Sequence, residues 1–387
     1  MPDAPSTRNV IVVTGTRAEF GLLLPVMRAI DAHPTLTLHV IATGTHLLQS
    51  GATYREVKAA FPHAIAVPMQ VDGRRTRADD AEATGNGITR FARVFAHNGP
   101  DWVVVLGDRI EVFAAASAAS IGGWTVAHIH GGDRAEGIAD EAMRHAITKL
   151  SHLHLAATSQ SAQRITKMGE PVENVHCVGS PAIDALTNVT AFSDDEAIKI
   201  ANGADWRSIV LLHPAGLDEA HERAWARTVL DGIAQADAGP ALVLSPNHDA
   251  GRDWIANELD ALCETHAWPR VDHLPRETFL RALKWCAEAR FPLVGNSSAG
   301  LIEAAALGVP VVNLGPRQAG RERAGALVDV ESPDTSAIAD AISRAKELAG
   351  SSPAHPYGDG NTGTRIAELL ASTDPRAKTL LRKRNAY

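Results

Sequence analysis

The chain has 387 residues, 45% hydrophobic and 21% charged, with a formal net charge of −8. That length supports two domains with cores of their own, and the composition argues against long disorder. The acidic balance excludes a general nucleic-acid binder but leaves room for a local basic pocket around one anionic small molecule.

In chain order, Asn9–Thr14 (NVIVVT) predicts a strand, and Gly15–Gly21 leads into a helix predicted over Leu22–Ile30. Leu36–Thr43 and Trp102–Leu106 (WVVVL) predict two more strands, the latter ending in Gly107-Asp108-Arg109. An alanine-rich helix over Val112–Ile121 and a strand over Thr125–His130 follow. Leu153–Ala157 and Val175–Val178 read as the last strands of this half, and Gly179-Ser180-Pro181 breaks the pattern. Ser193–Asp205 is polar with weak helix signal and reads as a linker.

Strands restart at Ser208–Leu212, which runs into His213-Pro214, and continue with Leu242–Leu244, which ends in Ser245-Pro246-Asn247. Phe291–Val294 ends in a loop of small residues, Gly295–Gly300. A helix over Leu301–Leu307 and a strand over Val309–Leu314 complete the series. Alternating strands and helices imply parallel βαβ units, and continuous apolar strands imply sheets covered on both faces. The expected class is α/β, with Rossmann-like domains over residues 1–185 and 186–370. A basic helix over Asp374–Arg384, within 371–387, is expected to pack back on the first domain. Both halves place polar residues at the carboxyl edges of their strands, where doubly wound sheets bind ligands. Two such edges facing each other predict an interdomain cleft.

Cys177, Cys263 and Cys286 are widely spaced without a CxxC pair, so neither a zinc site nor a disulfide framework is expected. The opening MPDAPSTRN lacks the apolar core of a secretory signal, and no apolar run is long enough for a membrane span. A cytoplasmic location without membrane partners is the expectation.

The strand-to-helix junction Gly295-Asn296-Ser297-Ser298-Ala299-Gly300 leaves backbone N–H groups at a helix start, a geometry that holds phosphate. Arg317, Arg321 and Arg323 place cations just beyond the next strand, where they would clamp a diphosphate or simply decorate the surface. Asp108 either orients a reacting group, with Arg109 beside it, or caps the helix that follows. His128 and His130 share one side of a strand at period two. A metal site there lacks partner ligands at familiar spacing, so His130 and Asp133 are read as acid/base candidates. Asp140 with Arg144, and Glu141 with His145, are i,i+4 pairs. They stabilise a helix by a few tenths of a kcal/mol, or Arg144 holds Glu141 toward the cleft. His213 ends a strand, and groups around Asn247 and His273-Leu274-Pro275 stand where they would read a base and ribose. Glu303 suits a ribose diol or is an ordinary solvent-facing glutamate. The first loop lacks GxGxxG and no GxxxxGK[ST] occurs, so nicotinamide, flavin and P-loop chemistry are set aside and no cofactor is expected.

Taken together, VTGTRAEFGLLLPV, LGDR at 106–109, HIHGGD at 128–133, MRHAITKLSHLH at 143–154, SPNHDAG at 245–251 and GNSSAGLIEAAALGVPVVNLGPRQAGRER resemble the hydrolysing UDP-N-acetylglucosamine 2-epimerases of sialic and legionaminic acid biosynthesis. The resemblance covers nearly the whole chain and implies the glycosyltransferase-B architecture. It implies a UDP-sugar substrate and a homodimer or homotetramer. It also implies Asp108, His130, Asp140-Glu141 and His213 in catalytic places. Ser297, Ser298, Arg17 and Arg317 would then lie on the diphosphate, Glu303 on the ribose, and backbone around His273 and Leu274 on uracil. Several relatives have glutamate where this chain has His130, commonly glutamate at Asp133, and HPVT where it has His213-Pro214-Ala215-Gly216. The implied reaction is loss of UDP to a glycal, followed by C2 protonation and water addition at C1. The rivals are the same reaction on a UDP-2,4-diacetamido-2,4,6-trideoxy sugar, a glycosyltransferase of this architecture, and a non-catalytic nucleotide-sugar sensor.

Overall fold

The computed structural model describes residues 7–49, 53–74, 76–134, 140–184, 186, 188–246, 251–332, 334–349, 355–384 and 386, with the backbone alone of Asp140. The chain divides into two compact units. One comprises Met1–Asp133, Ala139–Asp184 and Tyr357–Tyr387, the other Arg134–Ile138 and Ala185–Pro356.

The first unit is built on seven parallel strands: β1 (Arg8–Thr14), β2 (Leu36–Thr43), β3 (Ile65–Val67), β4 (Trp102–Leu106), β5 (Thr125–Ile129), β6 (Leu153–Ala156) and β7 (Val175–Cys177). Their order is β3-β2-β1-β4-β5-β6-β7. Strand β1 shows why its sequence is apolar at every position. Val10 and Val12 enter one core with Leu23, Met27 and Ile366, while Ile11 and Val13 enter another with Phe91, Phe95 and Val112. Helices cover both faces, so period-two alternation is lost.

The first helix starts at Arg17, five residues before the predicted start, because the Thr16 side chain caps it by accepting from Glu19 N. A 22-residue helix, Arg77–Asn98, has only a thin sequence signal. Its buried residues are Ala83, Gly87, Phe91 and Phe95, a single four-residue-spaced stripe on an otherwise polar helix.

The chain returns to this unit at Tyr357, earlier than the 371 boundary taken from sequence. The basic helix expected over Asp374–Arg384 is not formed; a helix over Thr362–Ser372 precedes it and only Lys378–Leu381 coils after it. Pro375 disfavours helical backbone at Asp374 and so breaks the segment. The returning segment is bonded to the sheet. Arg8 Nη1 donates to Leu370 O at 2.7 Å, Trp102 Nε1 to the same carbonyl at 3.1 Å, and Thr125 Oγ1 to Pro375 O at 2.7 Å. The exit and return of the chain are also stitched together. Ser180 N donates to Tyr357 O at 2.7 Å, and the Asp184 carboxylate accepts from Thr362 N and Gly363 N at 2.9 and 2.6 Å.

The second unit has six parallel strands: β8 (Ser208–Leu211), β9 (Ala241–Leu244), β10 (Arg270–Val271), β11 (Leu293–Gly295), β12 (Val311–Leu314) and β13 (Leu327–Val330). Their order is β10-β9-β8-β11-β12-β13. The polar stretch read as a linker holds a helix, Asp194–Ile200, started by a reciprocal cap between Ser193 and Glu196.

Both orders reverse direction once, between β1 and β4 and between β8 and β11. Outside the carboxyl ends of strands at such a reversal, neighbouring loops part and leave a crevice. The topology therefore places the Gly15–Arg17 and Gly107–Arg109 loops at one switch point, and His213-Pro214 and Gly295–Ser298 at the other.

Candidate active-site residues at the two sheet edges

At the first edge, Arg144 ties two loops together. Its guanidinium is buried, pairs with the Asp108 carboxylate and donates from Nη1 to Asp133 O at 2.9 Å. Arg144 thus holds Asp108 as well as the expected Glu141, whose Oε2 lies 3.9 Å from Nη1. A buried guanidinium needs an ionised partner, and the Asp108 side chain keeps 19% exposure toward solvent. Glu141 approaches His145 Nε2 at 3.6 Å and is partly exposed. Asp140 opens the helix Asp140–Leu150, and its side chain lies outside the described residues.

His128 and His130 do not share a strand face. His128 ends its alternation fully buried, with Nε2 donating to Gly107 O at 2.8 Å and Nδ1 near Thr148 Oγ1 at 3.3 Å. Burial pulls its pKa down to about 3, so it is neutral and structural. His130 leaves the strand with φ +65, in the left-handed region that few non-glycine residues adopt. That turn directs its ring to Asp133 and Ser180. Nδ1 lies 2.8 Å from Asp133 Oδ2, and Nε2 lies 2.9 Å from Ser180 Oγ.

Beneath the first loop lies a pair of buried carboxyl groups that sequence reasoning did not single out. Glu19 accepts from Gly15 N at 2.8 Å, and burial, with the nearby Glu111 charge as a smaller contributor, raises its pKa to about 8. Glu111 is fully buried under Gly15 and Gly44. Gly44 has φ +57, and a Cβ there would collide with the Glu111 carboxyl, so only glycine fits. Arg109 Nε stands 3.6 Å from Glu111 Oε2, while Arg17, first residue of its helix, pairs with Glu56 at 3.2 Å. The sequence signal was the glutamate of GTRAE, in the segment that leads into the first helix.

At the second edge, Asn296 is the organising residue. Its fully buried amide accepts from His213 N and donates to His213 O, both at 2.8 Å, which fixes the backbone at the end of β8. Its own carbonyl accepts from Gln318 Nε2 at 2.9 Å and Arg317 Nη1 at 3.4 Å. Gly295 permits this arrangement, because a Cβ there would overlap Leu211 O. Glu222 completes the loop after His213 by accepting from Ala215 N at 2.8 Å and Leu217 N at 3.1 Å. Ser297 and Ser298 are half-buried, and the Ser297 hydroxyl accepts from Ala299 N at 3.3 Å. The following helix begins with a π-type turn over Gly300–Ala304, a wide turn often found at ligand sites.

Glu303 is not a solvent-facing helix residue. It is 6% exposed and paired with Arg276 at 3.0 Å. Leu274 is buried in the core of this unit, so only its backbone is open to a ligand role, whereas His273 is exposed. Arg323 is spent on Asp329, with Nε and Nη2 each 3.0 Å from carboxylate oxygens, which leaves Arg317 as the arginine bonded to the serine loop. Asn247 lies outside the described residues. The structure thus groups Asp108, Arg144, His130 and Asp133 in the first unit, and His213, Ser297 and Arg317 around Asn296 in the second.

A family model described as UDP-N-acetylglucosamine 2-epimerase matches residues 28–371. The chain belongs to this family. It is 33% identical over 370 residues to a UDP-N-acetylglucosamine 2-epimerase of Neisseria meningitidis serogroup B, covering 94% of the chain and 95% of that relative. It is 34% identical over 384 residues to the UDP-N,N′-diacetylbacillosamine 2-epimerase (hydrolyzing) of Legionella pneumophila, covering 98% and 100%. Among solved structures, the UDP-GlcNAc 2-epimerase of Methanocaldococcus jannaschii in complex with UDP-GlcNAc and UDP superposes with a TM-score of 0.76 at 20% identity, covering 94% of the chain and all of that one. The Neisseria meningitidis enzyme bound to UDP-GlcNAc gives 0.75 at 21% identity, covering 94% and 100%. These likenesses establish the glycosyltransferase-B-like fold of the 2-epimerase family. Among the described residues, no helix is long and apolar enough to cross a membrane.

Proposed function

We propose that the chain is a hydrolysing 2-epimerase that converts UDP-N-acetylglucosamine to UDP and free N-acetylmannosamine. The observation that carries this reading is a division of chemical labour. The first unit gathers Asp108, Arg144, His130 and Asp133, while the second gathers His213, Ser297 and Arg317 around one buried asparagine. Membership of the 2-epimerase family and the hydrolysing activity named for the Legionella relative support the same conclusion.

The C2 proton of the sugar has no carbonyl beside it. It becomes acidic only when the C1–O bond to UDP loosens and C1 gains oxocarbenium character. On this reading the second unit supplies that loosening. Backbone N–H groups after Gly295, with Arg317 bonded beside them, stabilise charge growing on the diphosphate, and His213 assists its departure. The first unit handles protons. Asp108, oriented by Arg144, takes the C2 proton, the electron pair forms the C1=C2 bond, and UDP leaves with the C1–O pair. His130, backed by Asp133, returns a proton to C2 of the 2-acetamidoglucal, and water captures C1 and loses its own proton. No step draws on a redox cofactor.

Purified protein incubated with UDP-N-acetylglucosamine in D₂O is expected to release UDP and N-acetylmannosamine carrying deuterium at C2, read by NMR. Release without label would remove the elimination route. Reversible formation of UDP-N-acetylmannosamine would make the enzyme non-hydrolysing. A second reading, the same chemistry on a UDP-2,4-diacetamido-2,4,6-trideoxy sugar, is favoured by the Legionella relative's match over its full length. Comparing kcat/KM for the two sugars decides between them.

A further inference from the structure

The hydrogen bonds around His130 run in one direction, and that direction assigns a role to a serine outside the residues already given one. An ionised Asp133 carboxylate only accepts, so the ring nitrogen facing Oδ2 at 2.8 Å, Nδ1, carries a proton. In the neutral ring Nε2 is then an acceptor, and Ser180 Oγ, 2.9 Å away, must donate to it. Ser180 Oγ is free to do so because it receives Ala182 N at 3.3 Å on a lone pair. On the far side, Thr158 Oγ1 donates to Ser161 Oγ at 3.0 Å, and Ser161 Oγ donates to Asp133 Oδ1 at 2.7 Å. Every donor in the line points toward Asp133. Ser180 and Ser161 are fully buried and His130 is 8% exposed, so water does not compete for these bonds.

We propose that Ser180 is a positioning residue for the proton carried by His130. This rests on the proposed role of His130 in returning a proton to the glycal. A hydroxyl is the one small group that serves both charge states of the imidazole by rotating a single bond. When His130 is an imidazolium, its Nε2–H is donated to Ser180 Oγ, and the proton reaches C2 only as that bond is exchanged for the substrate. When the proton passes to C2, the C1=C2 pair forms the new C–H bond, the N–H pair stays on Nε2, and the charge moves to C1 for water to capture. The Ser180 hydroxyl then turns to donate to the neutral Nε2. Ser180 reaches the reaction only through His130. The left-handed backbone at His130 is consistent with this role, since it is the turn that brings the ring to Ser180.

The test compares Ser180→Ala, which removes the ambivalent hydroxyl, with Ser180→Thr, which keeps it. With UDP-N-acetylglucosamine as substrate, Ser180→Ala is expected to slow free-sugar formation about 30-fold, less than the roughly 10²–10⁴-fold of a general acid itself because the acid stays in place, with KM changed less than about twofold. UDP release is expected to fall much less, so that the glycal accumulates relative to free sugar. Ser180→Thr is expected to restore the wild-type ratio of glycal to sugar. A folding defect alone lowers both products together and leaves their ratio unchanged; a wild-type ratio in a folded Ser180→Ala protein overturns the proposal.

A second measurement does not need turnover. In ¹⁵N-histidine-labelled protein, with His130 assigned by loss of its signals in His130→Gln, Nε2 is expected to resonate as a hydrogen-bonded acceptor and to move toward the free-acceptor position in Ser180→Ala. An unmoved Nε2 overturns the assignment of Ser180. Wild-type protein that releases no UDP from either nucleotide sugar removes the functional reading instead, and the two failures are thereby told apart.

Discussion

The two sheet edges are built from different materials. At the β1/β4 edge the polar groups are titratable and buried: Glu19, Glu111, His128, His130 and Asp133 all lie under 9% exposure. At the β8/β11 edge the organising contacts run mainly to amides and backbone, with Asn296 clamping His213 and receiving Gln318 and Arg317, and with one buried carboxyl, Glu222, bonded to the loop backbone. A buried titratable group changes state at an energetic cost set by its surroundings, which suits a region that moves protons. Fixed dipoles and a permanent guanidinium hold a charge that does not change, which suits a region that grips a diphosphate. The contrast makes a testable claim: changes at the first edge will show in turnover and pH, and changes at the second in nucleotide affinity.

The largest effect is expected from Asp108→Asn, which keeps the shape and removes the base. Turnover should fall about 10³-fold, while calorimetry with UDP should show affinity within about twofold of wild type. A comparable loss of UDP affinity would erase the distinction between the edges. His213→Ala tests the boundary case, because His213 sits on the second edge yet is assigned to leaving-group departure. A loss of kcat of about 10²-fold with UDP affinity nearly retained would make it the one proton-handling group there. Unchanged turnover would return that edge wholly to binding.

Arg317→Ala and Ser298→Ala should act in the opposite sense. Each is expected to weaken UDP binding about tenfold, equivalent to about 1.4 kcal/mol, and to leave the pH dependence of turnover alone. Affinity equal to wild type in both would misplace the diphosphate.

The smallest effect concerns stability. Glu19 has its pKa raised from 4.5 to about 8 in the fold. Between those values the folded chain holds a proton that the unfolded chain has lost. Stability therefore falls as pH rises through this window and levels off above it. Glu19→Gln removes that dependence. The Tm of the variant minus that of wild type should be more positive at pH 8.5 than at pH 5, by several degrees, in thermal denaturation followed by circular dichroism. A constant difference would mean that Glu19 is ionised throughout.

Much of this architecture was legible in the sequence because parallel strands buried on both faces are apolar at every position. Leu36–Thr43 and Trp102–Leu106 coincide with the observed strands to the residue. The loops after the strands could then be assigned to carboxyl edges by connectivity alone. Helices with thin stripes were harder to see. Arg77–Asn98 buries four of its 22 residues, and Asp194–Ile200 depends on its cap more than on apolar periodicity. At the site, period-two reasoning placed His130 beside His128, and a single left-handed residue undid it. Arg144 illustrates the same limit, since spacing along its own helix gave no sign of Asp108, which comes from a different strand end. Ser180 carries no charge and no motif of its own, and Asn296 stands in the serine loop, where sequence alone assigns it no role. Their importance comes from what the fold puts next to them.

The stitch between Ser180 and Tyr357, and between Asp184 and the start of the helix at Thr362, has a consequence for how this chain is organised. Because departure and re-entry are neighbours, residues 185–356 behave as an insertion hosted by the first unit. A short glycine bridge could close the host across the gap without stretching any strand. The guest, in turn, could be exchanged as a cassette, so the two units could diversify independently.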